Sequence, residues 1–352
     1  MRTHKIAALP GDGIGPEVLD SGLAVLEALE KSEGFALNTV RFPWGSQFYL
    51  QHGRMMKEGG FETLRTFDAI YFGAVGSKAV PDHVTVWDFI LPIRQKFDQY
   101  VNLRPMRLLP GLKSPLAGRG PEDIDMVCVR ENTEGEYSGV GGFVHRGREG
   151  ELANEVATFT RVGIERVVRF AFELARTRPK KLVASATKSN ALKHSMVLWD
   201  EVVEDVAGRY PDITVRKYHV DALAARMVTQ PGTLDVIVAS NLFGDILTDL
   251  GAAISGSLGV APSGNLDPTR KNPSMFEPIH GSAPDIAGKG IANPIGAVWA
   301  GAMMLEHLGE KQAAQRVVKA IEKVTLEGRV RTPDLGGSAT TADMTQALLD
   351  AL

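Results

Sequence analysis

The feature that most constrains this 352-residue chain is a repeated order: a short apolar run, a polar or glycine cluster, then apolar residues at helical spacing. Residues 6–9 run into Gly11-Asp12-Gly13-Ile14-Gly15, after which Pro16 suits a first helical position ahead of Val18, Leu19, Leu23, Leu26 and Leu29. The rhythm recurs at 69–75 before Gly76-Ser77, at 126–129 before Arg130-Glu131-Asn132, at 181–186 before Thr187-Lys188-Ser189-Asn190, and at 235–239 before Ser240-Asn241. A strand that is to be followed by a parallel neighbour needs a crossover, usually a helix, so this order predicts an α/β fold on a mostly parallel sheet. Ligands of such sheets gather beyond the carboxyl ends of strands, which directs attention to the polar clusters.

Helical spacing links Val156, Phe159, Gly163, Val167, Phe170, Ala171 and Leu174, and again Leu192, Met196, Trp199, Val203 and Val206. Both stripes read as core. Residues 134–154 are glycine-rich and charged with few apolar pairs, which predicts a projecting loop or hairpin arm. The length suggests about two domains, with the sharpest composition break at 106–121 where Pro and Gly cluster.

Charge narrows the function. Lys+Arg 39 against Asp+Glu 42 gives net −3 with both signs interspersed, so no global field draws the chain to nucleic acid or an anionic membrane. The longest uncharged stretch, near 294–305, falls short of a bilayer span, and the five-residue apolar run 6–10 is short for a signal sequence, so a cytoplasmic protein is expected. One cysteine, Cys128, lies in an apolar run and reads as a small buried hydrophobe in a reducing compartment.

Four groups of residues invite chemistry. The 11–16 segment has the look of a dinucleotide fingerprint, but Pro16 replaces its third glycine and Asp12 would face a pyrophosphate, so a tight turn feeding a helix is at least as good a reading. Arg94, Arg104 and Arg130 each adjoin an apolar run; guanidinium forks hold carboxylates bidentately, so their convergence would clamp a dicarboxylate, whereas singly each is an ion-pair partner. Asp245 and Asp249 stand four apart and so share a helix face, where their repulsion is relieved by Mg²⁺ or Mn²⁺; Asp221 is a candidate third oxygen ligand. Lys188, at a strand end, is a candidate general base, and Tyr137 a candidate proton donor, with exposure and aromatic anchoring as their plainer explanations. Residues 276–294 form a long Gly/Pro-rich loop suited to wrapping a flat polar ligand, or simply to covering the surface.

Taken together, Gly11-Asp12-Gly13-Ile14-Gly15-Pro16-Glu17, Asn102-Leu103-Arg104-Pro105, residues 130–137, Lys188-Ser189-Asn190, residues 241–249 and His280-Gly281-Ser282-Ala283-Pro284-Asp285 resemble the isocitrate/isopropylmalate dehydrogenase family of decarboxylating oxidoreductases. The resemblance implies a two-domain, non-Rossmann α/β fold, with residues 1–103 and 253–352 in one domain and 104–252 in a second that carries the arm. It assigns Arg94, Arg104 and Arg130 to substrate carboxylates, Tyr137 and Lys188 to acid/base catalysis, and Asp221, Asp245 and Asp249 to Mg²⁺ or Mn²⁺. It places the dinucleotide against His280, Gly281, Ser282, Ala283, Asp285 and Asn293. It further implies a homodimer in which Lys188 and Asp221 serve the neighbouring subunit's site, and leaves open a monovalent cation such as K⁺.

Asp285 would bond an adenosine ribose 2′-hydroxyl and repel a 2′-phosphate, favouring NAD over NADP. Asp88 and Ile90 occupy positions that greet a third carboxylate in isocitrate-using members, one repulsive and one apolar. Trp87 brings an indole where isopropylmalate-using members keep an open pocket, unless it is core packing. That stretch resembles the tartrate/D-malate branch, so the expected reaction is D-malate to pyruvate and CO₂ with tartrate as alternate substrate. Isopropylmalate dehydrogenation, and a non-catalytic nucleotide-binding regulatory subunit, remain as alternatives.

Overall fold

The computed structural model describes residues 2–352. Twelve strands form: β1 (Arg2–Gly11), β2 (Phe35–Arg41), β3 (Ala69–Ala74), β4 (Val101–Arg107), β5 (Asp125–Glu131), β6 (Gly135–Val144), β7 (Leu152–Thr158), β8 (Leu182–Thr187), β9 (Thr214–His219), β10 (Val236–Ala239), β11 (Pro262–Leu266) and β12 (Ser274–Pro278). Ten of them make one sheet in the order β2-β1-β3-β12-β11-β4-β5-β10-β8-β9. Its two wings are parallel, as the strand–helix rhythm requires, but the centre is not: β11 pairs antiparallel with both β12 and β4, and β4 with β5. Strands from the two ends of the chain adjoin on one wing, and β5, β8, β9 and β10 make the other.

Helices cover both faces, and their apolar stripes supply the core. Ile295–Leu308, apolar nearly all round, is buried along most of its length between Gly15–Glu27 and Lys311–Glu327. Tyr71 of β3 donates its hydroxyl to the Ala297 carbonyl at 2.6 Å, which satisfies the one polar atom of a ring with no exposed surface. Cys128 is fully buried, and burial pushes its thiol up to about 12. Among the described residues no helix is long and apolar enough to cross a membrane.

Two expectations need correction. The stripe that began at Val156 joins two elements: Val156 is an exposed residue of β7, and the helix is Arg161–Thr177, opened by Thr160, whose hydroxyl accepts the Gly163 N–H. Leu192 likewise lies outside the next helix, Ser195–Ala207, and is exposed. Trp87, expected in the substrate-pocket region with core packing as the alternative, sits on a π-helical turn, Val86–Ile90, with 36% of its surface exposed, so the core alternative falls away. The arm is a two-stranded ribbon, β6 against β7, extending to Thr158 with Val140, Phe143, Val144, Leu152 and Val156 exposed.

Candidate active site

The site is built on the sheet's central face as well as at strand ends. Arg130 lies inside β5 opposite Asn102, and Arg104 inside β4 opposite Cys128, so the two guanidinium groups rise from the same face as diagonal cross-strand neighbours. Over them runs the helix Asn241–Ile254, which follows β10 directly. The close approach needs Gly244, because a Cβ there would come within 2.6 Å of the Arg130 Cβ.

Asp245 is the point of convergence. Its Oδ1 accepts from Arg130 Nη1 at 2.6 Å and from Arg104 Nη1 at 3.4 Å, while Oδ2 accepts the Tyr137 hydroxyl at 3.2 Å. Arg130 turns Nε and Nη2 onto Asn241 Oδ1, and Arg104 donates to the Thr248 hydroxyl at 2.7 Å. Arg94, on the short helix Leu91–Lys96, is buried and donates to Glu277 Oε1 at 3.0 Å; Asn265 also donates to that oxygen. Its charge is felt by both other arginines. The three arginines, Tyr137 and the acidic pair therefore meet.

The field follows from this crowding. Burial pushes Asp245 up, but Arg130, Arg104 and Arg94 outweigh it and hold the carboxyl below its ordinary value. Burial, then repulsion between like charges, lowers Arg104 and Arg130 despite Asp245. Tyr137 is raised by burial and by Asp245, so the phenol stays protonated at neutral pH and is available as a donor. Asp249, one turn beyond Asp245, is raised by burial and is 3.9 Å from Arg104. Two carboxylates on one helix face, one of them reluctant to ionise, suit a hard divalent cation with oxygen ligands.

Lys188 and Asp221 meet each other instead. Lys188 Nζ lies 2.7 Å from Asp221 Oδ1 in a solvent-exposed pair, and the lysine's hydrogen bond draws the Asp221 carboxyl below its usual range. Among the described residues, no three His, Cys, Asp or Glu side chains of one chain group as metal ligands, so Asp221 does not join Asp245 and Asp249 within it.

The loop after β12 is tied to the turn at 11–16. Ser282 carbonyl accepts the Ile14 N–H at 2.9 Å, and Gly13, at φ +60, would drive a Cβ within 1.9 Å of that same oxygen. Asp12 takes the Ser46 N–H and hydroxyl and the Gly76 N–H, so this segment is a knot between loops, as the tight-turn reading has it. His280 Nε2 is buried without a partner beside Gly281, whose Cα side is open; Asp285 is exposed; Ala283 adopts φ +41. Asn293 Oδ1 accepts the Ile295 N–H at the start of its helix, and its Nδ2 donates to Asp334. An orphaned imidazole nitrogen, exposed backbone and a free carboxylate fit a nucleotide's hydroxyl and phosphate groups.

Sequence reasoning missed Asn241, Thr248 and Glu277 as supports of the arginines. Asn241 stood in a polar cluster already singled out, whereas Glu277 lies in β12 and not in the loop expected over 276–294, and nothing local marked it.

The sequence profile described as isocitrate/isopropylmalate dehydrogenase matches residues 5–348. A probable tartrate dehydrogenase/decarboxylase of Agrobacterium vitis is 57% identical over 353 residues, covering 100% of this chain and 98% of the relative. The decarboxylating D-malate dehydrogenase of Escherichia coli (strain K12) is 55% identical over 355 residues, covering 99% and 98%. Among solved structures, isocitrate dehydrogenase from Methylococcus capsulatus superposes with TM-score 0.89 at 37% identity, covering 99% of each chain.

Proposed function

The chain belongs to the isocitrate/isopropylmalate dehydrogenase family, and from that premise we propose that it is an NAD-dependent decarboxylating dehydrogenase of a small 2-hydroxy dicarboxylate, D-malate first and tartrate second. The reaction is D-malate plus NAD⁺ to pyruvate, CO₂ and NADH. The observation that carries this reading is the meeting of Arg94, Arg104, Arg130 and Tyr137 around Asp245. The three guanidinium groups face Glu277, Asp245 and Asp249, so a divalent cation bound there would leave two positive charges, which a dicarboxylate balances. The names of relatives more than half identical to this chain support decarboxylating dehydrogenation.

In this reading Arg94, Arg104 and Arg130 orient the two carboxylates, and Lys188, by way of water, takes the C2 hydroxyl proton. Bound NAD would accept the C2 hydride, while a divalent cation on Asp245, Asp249 and Asp221 would polarise the developing carbonyl and steady the charge left as CO₂ departs. Tyr137, kept protonated by burial and by Asp245, delivers a proton to C3. Because Lys188 and Asp221 pair away from the arginine cluster in one chain, we place them in the second subunit's site, with the homodimer gripped through the exposed arm. Residues 1–103 with 253–352 then form the domain that seats NAD at His280, Gly281, Ser282, Ala283, Asp285 and Asn293, and 104–252 the other.

The test is NADH absorbance with Mn²⁺ across D-malate, tartrate, 3-isopropylmalate and isocitrate. Highest kcat/KM on D-malate is expected. Turnover confined to isopropylmalate or isocitrate overturns the substrate assignment.

A further inference from the structure

Away from the arginine cluster, where β1, β3 and β12 begin, lies a cavity of about 410 Å³ whose walls include Arg65, Arg270, Lys271, His4, His307 and Asp68. Its cations outnumber its carboxylates. Among the described residues Arg65, Arg270 and Lys271 form no ion pair, and Arg65 donates only to the Asn272 amide oxygen at 2.6 Å. Of the nearby carboxylates, Asp68 and Asp267 accept only neutral donors and keep their charge, whereas Glu310 is paired with a cation. Asp68 accepts the Lys5 N–H, Asp267 accepts from Thr269 and Asn272, and Glu310 takes Arg2 and His4.

Three cations against Asp68 and Asp267 leave an excess of positive charge around the concavity, which focuses a positive potential into it. Burial, then the charge of Arg270, pushes His307 down to about 4, so at neutral pH an uncharged imidazole stands there, fit to donate or accept one hydrogen bond. Arg270 holds φ +57, a conformation a non-glycine residue rarely adopts. Two guanidinium forks and an ammonium offer more donors than a single carboxylate uses and match the several oxygens of a phosphate. The volume also exceeds one inorganic anion.

We propose that this cavity is a phosphate-binding site, taking either inorganic phosphate or the phosphate of a small phosphorylated molecule. It is separate from the substrate arginines, none of which lines it.

Calorimetric titration of the full-length protein with inorganic phosphate and with ribose 5-phosphate tests it. Binding by the wild type should weaken at least about tenfold in the double variant Arg270→Asn/Lys271→Gln. Both side chains are exposed, so the ligand-free melting temperature should stay unchanged and report intact folding. An Arg104→Gln variant should leave the phosphate signal in place. Tighter ribose 5-phosphate binding identifies an organic phosphate as the occupant; equal affinity identifies the free anion. No binding, or binding that survives in Arg270→Asn/Lys271→Gln and disappears in Arg104→Gln, overturns the proposal.

Discussion

Arg130, with 1% of its surface exposed, holds Asp245 at 2.6 Å through Nη1 while its other two nitrogens, Nε and Nη2, donate to Asn241. The same carboxylate that would bind a cation therefore also compensates a buried guanidinium. Asp245→Asn should remove turnover and Mn²⁺-dependent substrate binding together. Its cost to folding should be about 2 kcal/mol, within the range for a charged hydrogen bond, because Arg130 is buried while the Asp245 side chain is 38% exposed and asparagine keeps an acceptor. Steady-state kinetics and urea unfolding read the two effects separately.

Lys188→Met removes the proposed base but only an exposed ion pair from the fold. NADH formation should be abolished, the melting temperature should barely move, and Mn²⁺-dependent substrate binding should remain measurable by calorimetry. Retained turnover removes Lys188 from the mechanism.

Gly13→Ala places a methyl group into the Ser282 carbonyl at a backbone angle that alanine resists. The loop carrying His280 and Asp285 must then shift. KM for NAD should rise by about tenfold or more with the arginine cluster intact, and melting should fall. An unchanged KM for NAD would detach that loop from cofactor binding.

His307 gives a pH signature. An imidazole at about 4 when folded and 6.5 as its ordinary value binds fewer protons folded than unfolded between those limits. Stability therefore falls as pH drops from 6.5 toward 4, by about 3 kcal/mol in all, and is level above that window. Chemical denaturation of wild type against His307→Gln across this range isolates the effect; parallel curves reject it.

Much of this molecule is legible in its sequence. The strand–helix rhythm yields the parallel wings, and the four-residue spacing of Asp245 and Asp249 yields their shared face, because both are local periodicities. The antiparallel centre is not, since which strands adjoin is decided by long-range packing. Val156 and Phe159 fit helical spacing by coincidence; the better signal was Thr160, a capping side chain three residues before Gly163. Glu277 escaped notice for a related reason. Its meaning comes from Arg94, 183 residues away in sequence.

The pairing of β6 with β7 slips between Gly135 and Val140, and Tyr137 stands within that slip, at the root of the arm. The phenol is thus mounted on the stem of a ribbon whose apolar far end lies open to whatever docks there. In the proposed homodimer, a partner seated on that ribbon would bear on the same stem that carries the Tyr137 hydroxyl to Asp245.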